Sequence, residues 1–356
     1  MLTNKRRPYL IHFHSILVKS KLSIRLGISS RPSKFFSDDQ VSPSIPIRDF
    51  RLLGKNKFTA KIIIQLEQET IYEKTLDTDQ FGHLNHKVTL AQQYIKKLAN
   101  AQVYIYEISM LPGIDLFMGK HVPTFINIEK PVIISDFDKT LVDTKYKTTV
   151  ELYHSLTSPL KTFPTVQKTL DSLMPMIKEE IPFFIVSASP HFYENPIRNW
   201  LLENKIKDSG IFLKDYRHFL SFQNTELFSK DIKVHGTFKL SQLLNLIYML
   251  EGPKTIILFG DNSETDPLIY CLFDYLVTTN FDIQSTWQKI KQLDAFKLTQ
   301  FQDSKLLNRL HLIRSLKKHH HRKCEVKINI RLIGKSSNDI QLPYWLETYR
   351  KKINFY

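Results

Sequence analysis

The sequence predicts an α/β protein, with a doubly wound parallel sheet preceded by a small β-sandwich-like domain. Three observations carry this reading. Beyond residue 130 the apolar runs PVIIS, PFFIVSAS, KTIILFG and YLVTT alternate with helix-length stretches such as Thr165 to Lys178 and Phe238 to Leu250. Apolar strands separated by helices are the pattern of parallel strands covered on both faces. Residues 50 to 108 instead hold short segments rich in Ile, Val, Thr and Tyr (KFTAKIIIQL, ETIYEKTL, HKVTL, QVYIYEI) bounded by polar turns, as antiparallel β structure requires. Finally, 356 residues suffice for one large and one small domain.

In chain order, residues 1–46 read as a basic tail and linker. The first 37 residues contain no Asp or Glu but carry Lys5, Arg6, Arg7, Lys19, Lys21, Arg25, Arg31 and Lys34 among apolar neighbours. A transit or membrane-surface segment and a solvated basic tail both fit that pattern. The string VSPSIP, residues 41–46, disfavours helix and reads as the linker. The β domain then spans 47–127, punctuated by the turn DTDQFGHL at residues 77–84, whose Asp and Gly accept turn geometry. The α/β domain occupies 128–285. Residues 286–356 form a basic C-terminal extension, a helix followed by the short β segment VKINIRLI.

Composition excludes wholesale disorder: 42% of residues are hydrophobic and only 24% charged. The two cysteines, Cys271 and Cys324, stand in no metal-ligand or disulfide spacing. A net charge of +15 favours an acidic partner, whether phosphorylated metabolite, nucleic acid or anionic lipid. No apolar run approaches the roughly 18 to 20 residues that span a bilayer. The run His319 to His321 reads as solvated rather than as a metal site.

Polar residues close three separate apolar strands: Asp136, Asp138 and Thr140, then Ser187, then Asp261 and Asp266. Carboxylates buried there need a cation or a hydrogen-bond network. A hard cation such as Mg²⁺, shared between a few carboxylates and a phosphate, satisfies them. In a doubly wound sheet, ligands bind at these carboxyl ends.

These strings are similar to the signatures of haloacid dehalogenase (HAD) phosphatases: SDFDKTLVDT to DxDxT, FFIVSAS to the strand ending in Ser or Thr, and LFGDNSETDP to GDxxxxD. The resemblance implies a Rossmann-like domain that hydrolyses phosphate monoesters. Asp136 would be the nucleophile, forming an aspartyl-phosphate, and Asp138 the general acid and base. Mg²⁺ would be held by the Asp136 side chain, the Asp138 backbone carbonyl and Asp261, with Asp266 supporting the site, and Ser187 would hydrogen-bond a phosphoryl oxygen. A lysine some 20 residues before the last motif should neutralise the phosphoryl group. Lys239, leading the helix FKLSQLLNLIYML, fits that place better than Lys214, while Glu264 and Asp143 read as loop residues.

More narrowly, ISDFDKT, VSASPHFY, FLKDYR, TFKLSQL and GDNSETDPLIY resemble the catalytic domain of actin-patch-type phosphatidate phosphatases. The preceding β domain with its TD-x-x-G turn resembles what often stands before that domain. The resemblance covers residues 50 to 285. Lys139 departs from it, standing where relatives often carry a second Asp. It assigns Thr140, Ser189, Lys214 and Arg217 to substrate binding.

About 45 residues separate the first motif from the strand ending at Ser187, and a similar length precedes Lys239, leaving no room for a large cap. An uncapped site suits phosphate presented on a bulky support. The expected substrate is phosphatidic acid, or another anionic phospholipid at a membrane surface. Nucleic-acid ends and phosphoproteins are the alternative substrates, and a non-catalytic lipid or protein binder is the alternative class. The expected location is cytoplasmic and peripherally membrane-associated, with secretion into a host cell the other possibility.

Overall fold

The computed structural model describes residues 6–32, 57–144, 158–215, 236–296, 300–320, 324–334 and 336–356. A six-stranded parallel sheet is built from β9 (Pro131–Ser135), β10 (Phe183–Pro190), β11 (Gly210–Lys214), β12 (Thr255–Asp261), β13 (Glu325–Arg331) and β14 (Ile353–Phe355). Its order is β11-β10-β9-β12-β13-β14. Neighbouring strands pair in register, for instance Phe259 with Ser135 and Ile185 with Ser135.

The two faces follow from period-two alternation within apolar strands. Val132 and Ile134 point to one face. There, with Phe184, Ile256 and Ile328, they pack in one core with α3 (Gly236–Met249), α4 (Asp266–Thr278), α5 (Ile283–Lys291) and α6 (Gln300–His320). Ile133 points to the other face, packing with Phe183, Ile185 and Ile211 on α1 (Gln167–Lys178) and α2 (Glu194–Glu203). The chain runs outward from β9 to β11, then restarts on the far side of β9 at β12. That reversal creates a topological switch point at the carboxyl ends of β9 and β12.

Two antiparallel sheets precede this domain, in orders β5-β2-β1-β8 and β4-β3-β6-β7. The first comprises β1 (Arg6–Val18), β2 (Lys21–Pro32), β5 (His83–Thr89) and β8 (Thr124–Phe125); the second comprises β3 (Thr59–Leu66), β4 (Glu69–Asp77), β6 (Gln102–Glu107) and β7 (Leu116–His121). Strands β3 and β6 alternate strictly between buried and half-buried residues. Ala60, Ile62, Ile64, Val103 and Ile105 thereby meet Leu17, Leu22, Ile24, Leu26 and Ile28 of the other sheet.

Three expectations are corrected. Residues 6–32 are no tail: they form the long β1–β2 hairpin, and the linker at 41–46 lies outside the described residues. Leu17 enters the sandwich core while Ile16 and Val18 enter the core of the parallel sheet, so both faces of β1 are apolar and no alternation betrays a strand. The run YLVTT ends helix α4 instead of forming a strand. The chain beyond residue 285 is no appendage either, since β13 and β14 extend the parallel sheet and α6 packs Leu306, Leu310 and Ile313 into its core. Among the described residues no helix is long and apolar enough to cross a membrane.

Candidate active site

The site forms where β9 and β12 end at the switch point. Asp136 follows the last residue of β9, and its backbone N–H donates to Phe259 O at 2.9 Å, locking the two tips together. The chain then turns sharply through Lys139, which holds a left-handed φ of 59°. A β-carbon makes that conformation costly outside Gly, Asn and Asp, and such strain persists where surrounding contacts impose it. Here Lys139 N–H donates to Val142 O at 2.7 Å, and Arg331 from β13 donates to Lys139 O at 2.5 Å.

Asp136 is buried, one oxygen accepting from Phe137 N–H at 2.7 Å and the other from Lys239 Nζ at 2.7 Å. Lys239 sits in the first turn of α3 and is itself only 1% exposed. It also donates to Asp266 at 2.5 Å and to Glu264 at 3.1 Å. Burial alone would lower its pKa, but Asp136, Asp266 and Glu264 hold it well above the ordinary lysine value. Asp266 opens α4 and accepts from Asp261 N–H at 3.3 Å. This approach requires glycine at position 260, because a β-carbon there would lie 2.6 Å from the Asp266 carboxylate.

Asp136, Asp261 and Asp266 bring one carboxylate oxygen each within 4.8 Å of one another. With Glu264, four acids among the described residues gather around Lys239. Burial raises the Asp261 carboxyl to about 6, opposed by Lys239 and reinforced by Asp136. Burial likewise lifts Asp266 well above the carboxylate range, against the pull of Lys239. A deficit of positive charge among hard oxygen donors is the requirement a divalent cation such as Mg²⁺ meets, so these residues fit one. Asp266, expected only to support the site, lies within the group itself.

Asp138 is set apart from that group. Its carboxylate accepts from Thr144 Oγ1 at 2.7 Å and from Ser189 Oγ. Burial, with the charge of Asp136, raises it to about 6. A carboxyl balanced near neutrality can deliver a proton and retrieve one. Ser187 Oγ lies 3.0 Å from Ser189 Oγ, so a chain of hydroxyls joins β10 to Asp138. Thr140 donates to Asp261 at 3.5 Å.

The structure thus gathers Asp136, Asp138, Thr140, Ser187, Ser189, Lys239, Asp261 and Asp266. The expected substrate contact Ser189 is turned onto Asp138. Lys214 is buried at the end of β11, which β10 separates from β9, and Arg217 lies outside the described residues. Sequence reasoning missed Glu264, taken for a loop charge, although its place inside the GDNSETD string was a usable signal. It also missed Arg331, for which the sequence offers none. Asp143 does lie in a loop, 3.6 Å from Arg331. Of the triple histidine, His319 and His320 end α6, and His321 lies outside the described residues.

Residues 131–276 match the family model described as phosphatidate phosphatase APP1, catalytic domain. A comparison with curated proteins finds no match. Among solved structures, a glycosyl hydrolase family 2 member from Bacteroides cellulosilyticus aligns at 9% identity and a TM-score of 0.23, over 98% of this chain and 44% of that one. A GH2 beta-galacturonidase from Eisenbergiella tayi aligns at 8% and 0.24, over 96% and 60%. A Bifidobacterium dentium beta-glucuronidase aligns at 8% and 0.24, over 92% and 53%. The chain therefore spans about half the length of these structures, and likenesses this slight carry no argument about fold or function.

Proposed function

From the match of residues 131–276 to the phosphatidate phosphatase APP1 catalytic-domain model, we propose that the chain is a Mg²⁺-dependent phosphatase that hydrolyses phosphatidate to diacylglycerol and phosphate. The observation that carries this is the pairing of two differently equipped carboxylates at one switch point. Asp136 is pinned by Lys239 and Phe137 N–H, and Asp138 is poised near pH 6 by burial.

In the proposed reaction an Asp136 oxygen attacks phosphorus in line with the ester oxygen, which departs as diacylglycerol after taking the Asp138 proton. Asp138, now a carboxylate, removes a proton from water, and the resulting hydroxide displaces Asp136 from the aspartyl-phosphate, releasing inorganic phosphate. Lys239 and Ser187 stabilise the phosphoryl oxygens throughout. Mg²⁺ among Asp136, Asp261 and Asp266 would add neutralising charge.

A lipid surface is favoured over a soluble substrate by the β6–β7 hairpin, where Leu111 and Ile114 of the turn and Phe117 of β7 are each about half exposed. Its backbone is tied by Ile108 N–H to Thr59 O at 3.1 Å, beside the Thr78–Phe58 bond. It therefore stands at the end of the sandwich whose 77–84 turn reaches the active-site edge of the parallel sheet. The test is phosphate release, with and without Mg²⁺, from phosphatidate in mixed micelles compared with a phosphorylated oligonucleotide and a phosphopeptide. Preference for either of the latter overturns the lipid reading. Serine at 111, 114 and 117 should weaken binding to phosphatidate vesicles about tenfold or more, since each residue has roughly 1 kcal/mol or more to gain by burial. Turnover of a soluble monoester should be unchanged.

A further inference from the structure

Three strings set apart in the sequence have no part in the chemistry above: the DTDQFGHL turn, the His ending VSASPH, and the Asp of FLKDYR. They converge on one carboxylate. Asp215, the residue after β11, accepts a hydrogen bond from His83 Nε2 of the sandwich, and its other oxygen lies 3.4 Å from His191 Nδ1, just past the end of β10. We propose that His83, Asp215 and His191 are positioning residues, through which the β-sandwich holds the β10 tip where Ser189 meets Asp138. This proposal deepens the phosphatase reading and rests on it.

The need for a tether is visible in the sheet itself. Strands β10 and β11 pair regularly through Ser187 and Leu213, and the next pair is Pro190 with Lys214. Two residues, Ala188 and Ser189, are accommodated on β10 where β11 offers none. Bulges of this kind re-aim a side chain at the cost of ladder bonds. Here the re-aimed side chain is Ser189, which donates to Asp138 and contacts Ser187. Beyond the bulge the ladder resumes with the pair Pro190–Lys214, and Asp215 and His191, the residues that follow the two members of that pair, flank the strand tip directly.

His83 is fixed from the sandwich side. Asp79 accepts from the N–H groups of Phe81 and His83, both at 2.9 Å, closing the turn. Gly82, with φ of +77°, permits it, since a β-carbon there would stand 1.9 Å from Ile28 O. The His83 ring stacks on His12 at 5.3 Å, His12 stacks on His14 at 6.0 Å, and His14 stacks on Phe212 of β11 at 5.7 Å. His14 Nε2 donates to Ile211 O at 3.1 Å. Three imidazoles thus bridge β5 and β1 to the edge strand of the parallel sheet, and His83 carries the row on to Asp215. A rigid sandwich, anchored at that point, fixes Asp215 and through it the β10 tip.

The full-length chain with His83→Ala, His83→Gln and Asp215→Asn tests this in two arms. The first is amide hydrogen exchange. Relative to the wild type, His83→Ala should accelerate exchange about tenfold or more in the peptide spanning residues 186–194, with the tips of β9 and β12 unchanged. His83→Gln, which keeps a donor near the Nε2 position, should restore protection. The second arm is turnover of para-nitrophenyl phosphate with Mg²⁺. His83→Ala and Asp215→Asn should lower kcat about tenfold or more, the scale of misplacing a catalytic group, with KM changed less than about threefold and with recovery in His83→Gln. Unaltered exchange at 186–194 overturns the proposal, as does altered exchange with kcat within about twofold of wild type. General loss of protection across the sheet in His83→Ala also overturns it in favour of a folding role. An inactive wild type whose exchange nonetheless responds as expected counts against the phosphatase reading and not against the tether.

Discussion

Two buried sets of charge stand along one edge of the parallel sheet, and they are balanced in opposite ways. At the β9 and β12 tips, Asp136, Asp261, Asp266 and Glu264 gather around Lys239. At the β11 side, each acid has basic partners: Asp215 has His83 and His191, while Glu194 and Asp208 share Arg198 with Arg25 nearby. The first set has surplus negative charge and opens onto a switch point. The second lies largely within the packing beside β11, with Arg198 reaching the surface. Surplus buried charge is a cost that folding retains only where a ligand later relieves it. Balanced buried charge serves position.

Asp136→Asn offers the sharpest test of this contrast. It should lower turnover by roughly a thousandfold or more, the scale of removing an activated nucleophile, while far-UV circular dichroism stays unchanged. Residual turnover near wild type would remove the surplus set from the chemistry. Lys239→Met comes next. Stripping its ammonium group removes the ion-pair partner of buried carboxylates and should cost about 3–5 kcal/mol in denaturant unfolding without Mg²⁺. A more stable variant would mean that the acids are protonated and no surplus exists.

Mg²⁺ itself should stabilise the wild type by about 2.7 kcal/mol at a hundredfold excess over its dissociation constant, and Asp261→Asn should abolish that gain. Scanning calorimetry with and without chelator reads both. The balanced set should show itself in the pH dependence of stability. Burial, outweighing Arg198 and Arg25, pushes the Glu194 carboxyl up to about 7 from the ordinary 4.5. The folded chain therefore binds this proton more tightly than the unfolded chain. Relative to Glu194→Gln, wild-type stability should fall as pH rises from 4.5 to about 7 and level off above. Thermal unfolding of both proteins across that range checks the sign, and a gap independent of pH would refute it.

Much of the site was legible because its signal is local. A polar residue at the end of an apolar run marks a strand tip wherever that strand lies, so Asp136, Ser187 and Asp261 could be read one by one, and motif spacing supplied their roles by resemblance. Helices α1 and α3 were equally readable from their apolar periodicity. The β1–β2 hairpin was not, because a strand buried on both faces by two different domains shows no alternation, and its arginines and lysines imitated a tail. Arg25 itself is half-buried with its guanidinium 4.5 Å from the centre of the Phe212 ring, a setting no composition reveals.

From sequence alone came the strand tips, the helices between them and the kinds of chemistry their side chains permit, since each depends on a few neighbouring residues. Tertiary structure alone decided which lysine serves Asp136, across 103 positions, and that Asp215 answers to His83, 132 positions away. It also decided that the last strands complete the sheet carrying the site. Hydrophobic patterning determines where a chain turns inward; the partner that meets a buried charge is selected only when distant segments pack and exclude the water that would otherwise have served.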